Sequence, residues 1–306
     1  MRVPPSPATG SRAHLPTEQA NPASARLDEL DTLAAVDVFA AEDRRAVEAV
    51  AAARASIAAA VDLVAERLRS GGRLFYCGAG TSGRLGVLDA AELPPTFQSD
   101  PALVQGLIAG GERALLHAVE GAEDSRELAH AMLAERELAA RDVVLAIAAG
   151  GTTPFAHGAL EAAQRAGAAS IFLACVPFEL APDSADISIR VVTGPEVLAG
   201  STRLKAGTAT KLVLNTLSTL VMARLGKVHG NLMVDVNTQA NAKLVERGIG
   251  LVMQLAGVER AAASELLRRA EGGVKAAVVM HAQRCDLAAA RARLAAVGGV
   301  LRRALG

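Results

Sequence analysis

The 306-residue sequence has no Trp, one Tyr and six Phe. A chain so poor in rings offers few surfaces on which bases could stack, which argues against single-stranded nucleic acid as a ligand. It also lacks net charge, with 32 basic side chains against 32 acidic ones. Without a field of one sign, nothing electrostatic points to nucleic acid or an acidic membrane as a partner. No C-x-x-C or H-E-x-x-H spacing occurs and the six His are scattered, so neither a metal site nor any other cofactor is expected. The three cysteines, Cys77, Cys175 and Cys285, are odd in number and far apart. Two lie in apolar runs and read as buried thiols of a reducing compartment. No apolar run reaches membrane-spanning length without a charge or a glycine. Residues 1–16, rich in Pro, Ser and Ala, lack the continuous apolar segment of a secretory signal. The expectation is a soluble, cytoplasmic protein with a disordered tail from Met1 to Pro16.

What the chain does have is aliphatic mass: 51% of it is hydrophobic, enough to bury one large core with a small second unit beside it. Leu27 to Arg69 carries charges at helical spacing and reads as two helices broken near Ala40–Glu42, closed by Gly71-Gly72. Apolar runs suited to buried strands follow at Leu74–Cys77, Leu103–Ile108, Val143–Ile147 and Ser170–Cys175, with a more alternating one at Ile187–Val192. Helical patterns separate most of them, at Ala114–Glu120, Asp124–Ala134 and Pro154–Arg165 among others. Strands alternating with helices imply a parallel sheet covered on both faces, because parallel neighbours require crossovers. The predicted fold is α/β, a doubly wound, mainly five-stranded parallel sheet over residues 17–250. Ser201–Leu225 reads as one long helix with a hydroxyl cap. Residues 251–306, punctuated by Gly257, Gly272-Gly273 and Gly298-Gly299, read as a small three-helix, UBA-like unit.

Chemistry concentrates at the strand ends. Gly78–Gly83 fits G-x-G-x-x-G between a strand and a helix, so a dinucleotide site has to be weighed. That reading needs an acid about 20 positions on, at the end of the second strand, to hold a ribose. Here the strand ends Ile108-Ala109-Gly110-Gly111, and the first acid is Glu112. The turn also sets Thr81 and Ser82 beside free backbone N–H groups, between Gly80 and Gly83, which suits a phosphate monoester. A tight turn that binds nothing is the third reading. A second glycine–hydroxyl turn, Gly150-Gly151-Thr152-Thr153, follows the third strand, with Pro154 at a first helical position. Two such turns at the carboxyl ends of parallel strands would converge on one crevice, where a sugar phosphate could be held at both ends.

Three further candidates are charged. Glu92 precedes Pro94-Pro95, which should end the helix, and a carboxylate at a helix C-terminus is disfavoured by the dipole and inclined to act as an acid. An exposed Glu without a role is the plain alternative. Glu120-Gly121-Ala122-Glu123-Asp124-Ser125 is an acidic cluster in which Asp124 reads as a helix cap. In Gly200–Thr208, Ser201 and Lys205 could bind a carboxylate or phosphate, or simply cap the long helix.

Together these pieces resemble the N-acetylmuramic acid 6-phosphate etherase family. The likeness is carried by Gly78–Asp89, Glu92 with Pro94-Pro95-Thr96, Gly106–Gly111, Ala118–Ser125, Gly200–Thr208 and Gly226–Val236. Thr17-Glu18 and Asn21-Pro22 match its opening, so the likeness runs from about Thr17 to the C-terminus. It implies a sugar-isomerase-type (SIS) phosphosugar domain, a small helical C-terminal domain and a homodimer. It also implies conversion of N-acetylmuramic acid 6-phosphate and water to N-acetylglucosamine 6-phosphate and D-lactate. Two family glutamates carry over by motif position: Glu123 as the base at C2, and Glu92 as the acid on the departing ether oxygen. Two carboxyls in opposite protonation states need environments that push their pKa values apart.

The chain departs from the family at Gly150-Gly151-Thr152-Thr153, where many relatives have Ser-Gly-Arg-Thr, and at Val176-Pro177, where Asn-Pro is expected. A charged phosphate contact is therefore missing or moved. The competing reading is a regulator that senses a sugar phosphate without transforming it, as in the related glucokinase regulatory protein. Retention of Glu92 and Glu123 speaks against it, since a sensor has no use for an acid–base pair.

Overall fold

The runs read as strands form one parallel sheet in a computed structural model of the chain, which describes residues 12–238 and 242–306. Helices α1 (Thr32–Ala52) and α2 (Arg54–Arg69) lead into β1 (Leu74–Gly78), α3 (Gly80–Phe97) and β2 (Val104–Ile108). After the short α4 (Arg113–Leu116) come α5 (Arg126–Glu135), β3 (Val143–Ile147), α6 (Pro154–Ala166), β4 (Ala169–Ala174) and β5 (Ile187–Arg190). The long α7 (Lys205–Arg224) closes the α/β unit. A two-stranded ribbon of β6 (Val228–His229) and β7 (Leu232–Met233) precedes α8 (Ala242–Ala256), α9 (Arg260–Arg269), α10 (Val274–Gln283), α11 (Leu287–Ala296) and α12 (Leu301–Leu305).

The sheet order is β2-β1-β3-β4-β5, every pairing parallel. The first connection steps to one side of β1 and the next strand lies on its other side, which makes β1 the topological switch point. β1, β3 and β4 are buried at every position; continuous apolar runs are what a strand covered on both faces requires. One core joins the sheet to α1, α2, α3 and α7, and contains Val64, Leu145, Ile171 and Leu217. The opposite core, with Phe75, Val144, Phe155 and Phe172, lies under α5 and α6. Tyr76 and Asp89 bind the first layer together. Asp89 accepts hydrogen bonds from the Tyr76 hydroxyl (3.0 Å), Asn215 Nδ2 (2.7 Å) and Ser218 Oγ (3.1 Å), so β1, α3 and α7 share one buried carboxylate. Burial pushes the Tyr76 phenol well above its ordinary pKa. Among the described residues no helix is long and apolar enough to cross a membrane.

Several local expectations are corrected. α1 runs unbroken through Ala40–Glu42 and the break falls at Ala53, because Glu42 and Ala46 point into the core and the helix has no reason to stop there. The expected tail lies outside the described residues up to position 11, but Arg12–Pro16 is ordered. Leu15 is fully buried in the α5/α6 core, and that burial fixes the segment. α7 begins at Lys205 rather than Ser201, and no hydroxyl caps it. The Glu196 carboxylate does so instead, accepting the N–H groups of Lys205 and Ala206, both at 2.9 Å. Ser125 rather than Asp124 caps α5, accepting from the Leu128 N–H at 3.0 Å.

The C-terminal helices have their own core, including Val252, Ala277, Val279 and Leu301, and it extends back to Val234 and Val236. The expected boundary after residue 250 therefore falls inside α8, and among the described residues the unit holds five helices, α8 to α12, rather than three. Asp235 ties it to the end of the α/β unit by pairing with both Lys227 (3.2 Å) and Lys275 (2.7 Å). Cys77 and Cys175 are buried as read, and Cys285 is half-buried. Burial pushes the Cys175 thiol up to about 12 and that of Cys77 further still, so neither is a reactive thiolate near neutral pH.

Candidate functional site

The first turn is built around two glycines. Gly80 has φ +52°, a left-handed conformation open to glycine, and it swings the chain from β1 into α3. A Cβ on Gly83 would lie 2.5 Å from the Gly78 carbonyl oxygen and 2.6 Å from Ile108 Cγ1, so only glycine lets the helix start this close to two strand ends. The first N–H groups of α3 have no partner within the helix. Half-buried Thr81 and Ser82 stand among them, and neither hydroxyl is engaged by another described residue. Free N–H groups beside two hydroxyls make a turn whose chemistry suits a phosphate monoester.

A cleft of about 260 Å³ opens beside this turn, on the β2 side of β1, lined by Ala79, Gly80, Arg84, His117, Glu120 and Glu123 among others. Its far wall is the loop after α4. Arg84, one turn into α3, fastens that loop by donating from Nε to the Leu115 carbonyl (3.1 Å) and from Nη2 to the His117 carbonyl (3.3 Å). The chain then turns at Gly121 (φ +73°) and places Glu123 in a single 3-10 turn, Ala122–Asp124, with its side chain exposed. Glu123 and Gly80, the first residue of the glycine turn, are thus brought to one cleft.

The second turn lies next to the first, because β1 and β3 pair with Gly78 opposite Ile147. It is closed, however. Gly151 (φ +74°) sits so tightly that a Cβ there would be 2.7 Å from Ala181 Cβ and 3.1 Å from Val176 Cγ2. His157 Nε2 is 2.8 Å from the Gly151 carbonyl. A carbonyl only accepts, so Nε2 carries the proton. Burial lowers the His157 pKa against the opposing effect of that bond. Leu15 and Thr17 cover the Gly150 side of the turn, both fully buried. Thr152 and Thr153 remain half-buried, with Pro154 opening α6 as predicted. A cation does stand behind this turn: the Arg190 guanidinium, 3.6 Å from where a Gly151 Cβ would be. It is committed to the Ala181 carbonyl (2.8 Å), to Asp183, and to the rings of Phe172 and Phe178.

Two charged candidates are placed differently from expectation. α3 continues through Pro94 and Pro95 to Phe97 and ends in a left-handed cap at Gln98 (φ 49°, ψ 39°), so Glu92 lies more than a turn inside the helix rather than at its end. The exposed Glu92 is on the helix face of Thr81 but 11 residues further on, about 16 Å along the axis at roughly 1.5 Å per residue. It does not line the cleft. Lys205 does not face the cleft or the solvent. It is 1% exposed, and its Nζ is paired with the equally buried Glu42. Burial opposes ionisation of Glu42, but hydrogen bonds from Lys205 and from Asn21 Nδ2 (2.8 Å) outweigh it and hold the carboxyl below the usual range. Ser201 is half-buried in the turn before α7, where the neighbouring Gly200 N–H donates to the Thr17 carbonyl at 2.9 Å. The roles of Glu42 and Asn21 went unread because their partners lie far along the chain, and that of Glu196 because the two N–H groups it accepts follow an irregular loop without a local capping motif.

A family model described as the glucokinase regulatory protein N-terminal SIS domain matches residues 56–164. Over nearly the whole length, the chain is 57% identical to an N-acetylmuramic acid 6-phosphate etherase of Synechococcus sp. (strain CC9605), across 297 residues covering 97% of this chain and 94% of that one. It is 58% identical to the etherase of Gloeobacter violaceus over 290 residues, 95% of this chain and 94% of that protein. The chain belongs to the N-acetylmuramic acid 6-phosphate etherase family. Among solved structures, a phosphoheptose isomerase from Francisella tularensis aligns with TM-score 0.49 at 20% identity, covering 63% of this chain and 100% of that one. Of the two glutamates matched to the etherase motifs, the fold sets Glu123 at the cleft and Glu92 away from it on the outer face of α3.

Proposed function

We propose that this chain cleaves the D-lactyl ether of N-acetylmuramic acid 6-phosphate, giving N-acetylglucosamine 6-phosphate and D-lactate, as a cytoplasmic homodimer without a cofactor. The observation that carries the reading is the near full-length identity with etherases. The geometry of the β1 end supports it, because Gly80, at the start of the glycine turn, and the Glu123 loop line one cleft. The phosphate is held by the first N–H groups of α3 and the hydroxyls of Thr81 and Ser82. In the ring-opened sugar the C2 proton is acidic beside the C1 aldehyde. Glu123 removes it, the C3–O bond breaks, and Glu92 gives a proton to the departing lactate oxygen. Water then adds at C3, losing a proton to Glu92 as C2 regains one, so the atoms balance as one water consumed.

The test is lactate release by the purified protein from N-acetylmuramic acid 6-phosphate, with chelator present and no nucleotide added. Prompt release that vanishes in Glu123→Ala, together with C2 exchange with solvent, is the expected result. Saturable binding of the same sugar phosphate without release would refute the reading and leave a sensor.

A further inference from the structure

Glu123 sits on a loop with little of its own to hold it. Between α4 and α5, His117, Ala118, Glu120, Gly121, Glu123 and Asp124 are exposed, and only Val119 and Ala122 are half-buried. Among the described residues, the backbone hydrogen bond within this loop runs from the Asp124 N–H to the Gly121 carbonyl (3.2 Å). Val119 packs toward Gly110, where a Cβ would lie 3.0 Å from Val119 Cβ, and Ala122 packs on the α5/α6 core. Apolar contacts are not directional, so these two leave the height of the loop over the cleft unset. Among the described residues, the directional ties from Leu115–Asp124 to an element other than α4 come from one side chain. Half-buried Arg84 donates from Nε to the Leu115 carbonyl and from Nη2 to the His117 carbonyl.

The helix that carries Arg84 is seated rigidly. A Cβ on Gly86 would be 2.9 Å from Tyr76 Cβ, and one on Gly106 would be 2.5 Å from Val87 Cα, so α3 lies directly on β1 and β2 with no side chain between. A guanidinium is planar and its donors diverge at fixed angles; two of them on two carbonyls fix both the distance and the tilt of the loop. Arg84 follows Gly83 directly, so one helix carries the glycine turn and the side chain that places the loop of Glu123. We infer that Arg84 is a positioning residue: by clamping the Leu115 and His117 carbonyls it sets the distance from Glu123 to the glycine turn. Glu123 then meets C2 of a sugar whose phosphate is held at that turn. A base works only within about 2.6–3.2 Å of the proton it takes, and a misplacement of about 1 Å costs about 10²-fold in rate. Arg84 acts through Glu123 and not on the substrate. The inference rests on the proposed reaction for the role of Glu123, but the clamp can be tested without it.

Arg84→Met removes the donors and keeps the aliphatic stem. The kcat of lactate release and the rate of C2 proton exchange should fall together by about 10²-fold, with KM within about threefold of wild type. Arg84→Lys should recover part of the loss, because an ammonium reaches one carbonyl but does not hold two at a fixed angle; should Arg84→Met fail to fold, the lysine variant carries the same measurements. The deciding variant is Arg84→Met/Glu123→Gln. A base already lost cannot be misplaced, so the double variant should be no slower than Glu123→Gln alone. Losses that multiply overturn the inference, as does a raised KM at unchanged kcat, which would make Arg84 a substrate contact. Hydrogen exchange reads the clamp without the chemistry: amides of residues 118–124 should exchange faster in Arg84→Met, and those of β1 and α3 should not change. Unchanged exchange in the loop overturns the clamp. Faster exchange there, in a protein whose wild type never releases lactate, would retain the clamp and refute the proposed reaction instead.

Discussion

The turns after β1 and β3 are neighbours made of the same residue types, yet one is open and the other closed. At the β1 end the loop after α4 stands away from the helix, held by Arg84 through carbonyls, and a cleft remains between them. At the β3 end the N-terminal segment, Ala181 and the Arg190 cluster fill the space that a ligand would need. The difference lies in what packs over each turn rather than in the glycines. An exposed acidic loop leaves an opening, whereas a buried Leu15 does not. Substitutions at the open end should therefore change chemistry and spare stability, and those behind the closed end should do the reverse.

The largest effect is expected from Glu123→Gln. Loss of a general base lowers the rate by about 10²–10⁴-fold. Because the side chain is exposed, Tm should stay within a degree or two of wild type, at most about 0.5 kcal/mol. A large drop in Tm would mean that the loop is a structural element and the contrast between the turns is wrong. Lys205→Met breaks the comparison from the other side. It leaves Glu42 buried beside the N-terminal segment with only the more exposed Arg45 (3.1 Å) as a cation, so the loss should approach, without exceeding, the roughly 3–5 kcal/mol for removing one member of a buried pair. Denaturant unfolding measures this directly. A variant of unchanged stability that has lost only substrate affinity would return Lys205 to the ligand site.

How far such roles can be read from the sequence depends on how local their causes are. The strand runs and the Gly80–Gly83 turn were legible because backbone geometry and burial on both faces act over a few residues. The shared cleft of Gly80 and Glu123 followed from family motifs and not from spacing. The buried Lys205–Glu42 pair was not legible: its members are 163 positions apart, and a lysine opening a helix looks the same whether it meets solvent or a carboxylate. The helix through Pro94-Pro95 was misread for a similar reason. Two prolines in a last turn remove only bonds near the helix end, and burial of Leu93 and Phe97 against the core keeps that turn wound.

A smaller effect, in pH dependence, should come from two buried carboxylates, Glu42 beside the N-terminal segment and Asp142 at the amino end of β3. Glu42 and Asp142 both have folded pKa values below the usual carboxylate range. In each, burial works against ionisation and hydrogen bonds outweigh it, chiefly from Lys205 in the first and Arg73 in the second. A depressed carboxylate contributes stability that is present above its unfolded pKa and lost as pH falls through the folded one. Unfolding free energy should therefore fall below about pH 4, and Glu42→Gln should flatten that decline while lowering stability at neutral pH. Glu196 has the opposite sign, because burial raises its folded pKa against the two N–H groups it accepts. Its contribution is full below the usual carboxylate pKa and declines as pH rises through the folded value. An acid limb identical in Glu42→Gln and wild type would remove Glu42 from the balance.

The smallest effect is the sharpest test of whether the second turn stays closed. Thr17 Oγ1 is fully buried beside Gly150 with no hydrogen-bond partner. An unsatisfied buried hydroxyl costs about 1–3 kcal/mol relative to an apolar group of the same shape. If the turn is permanently closed, Thr17→Val should raise stability by about 1 kcal/mol and leave lactate release unchanged. If instead Thr17→Val lowers kcat/KM with no gain in stability, the hydroxyl finds its partner only when substrate is bound. The N-terminal segment would then lift from the β3 turn during the reaction, and the two turns would differ in when they open rather than in whether they do.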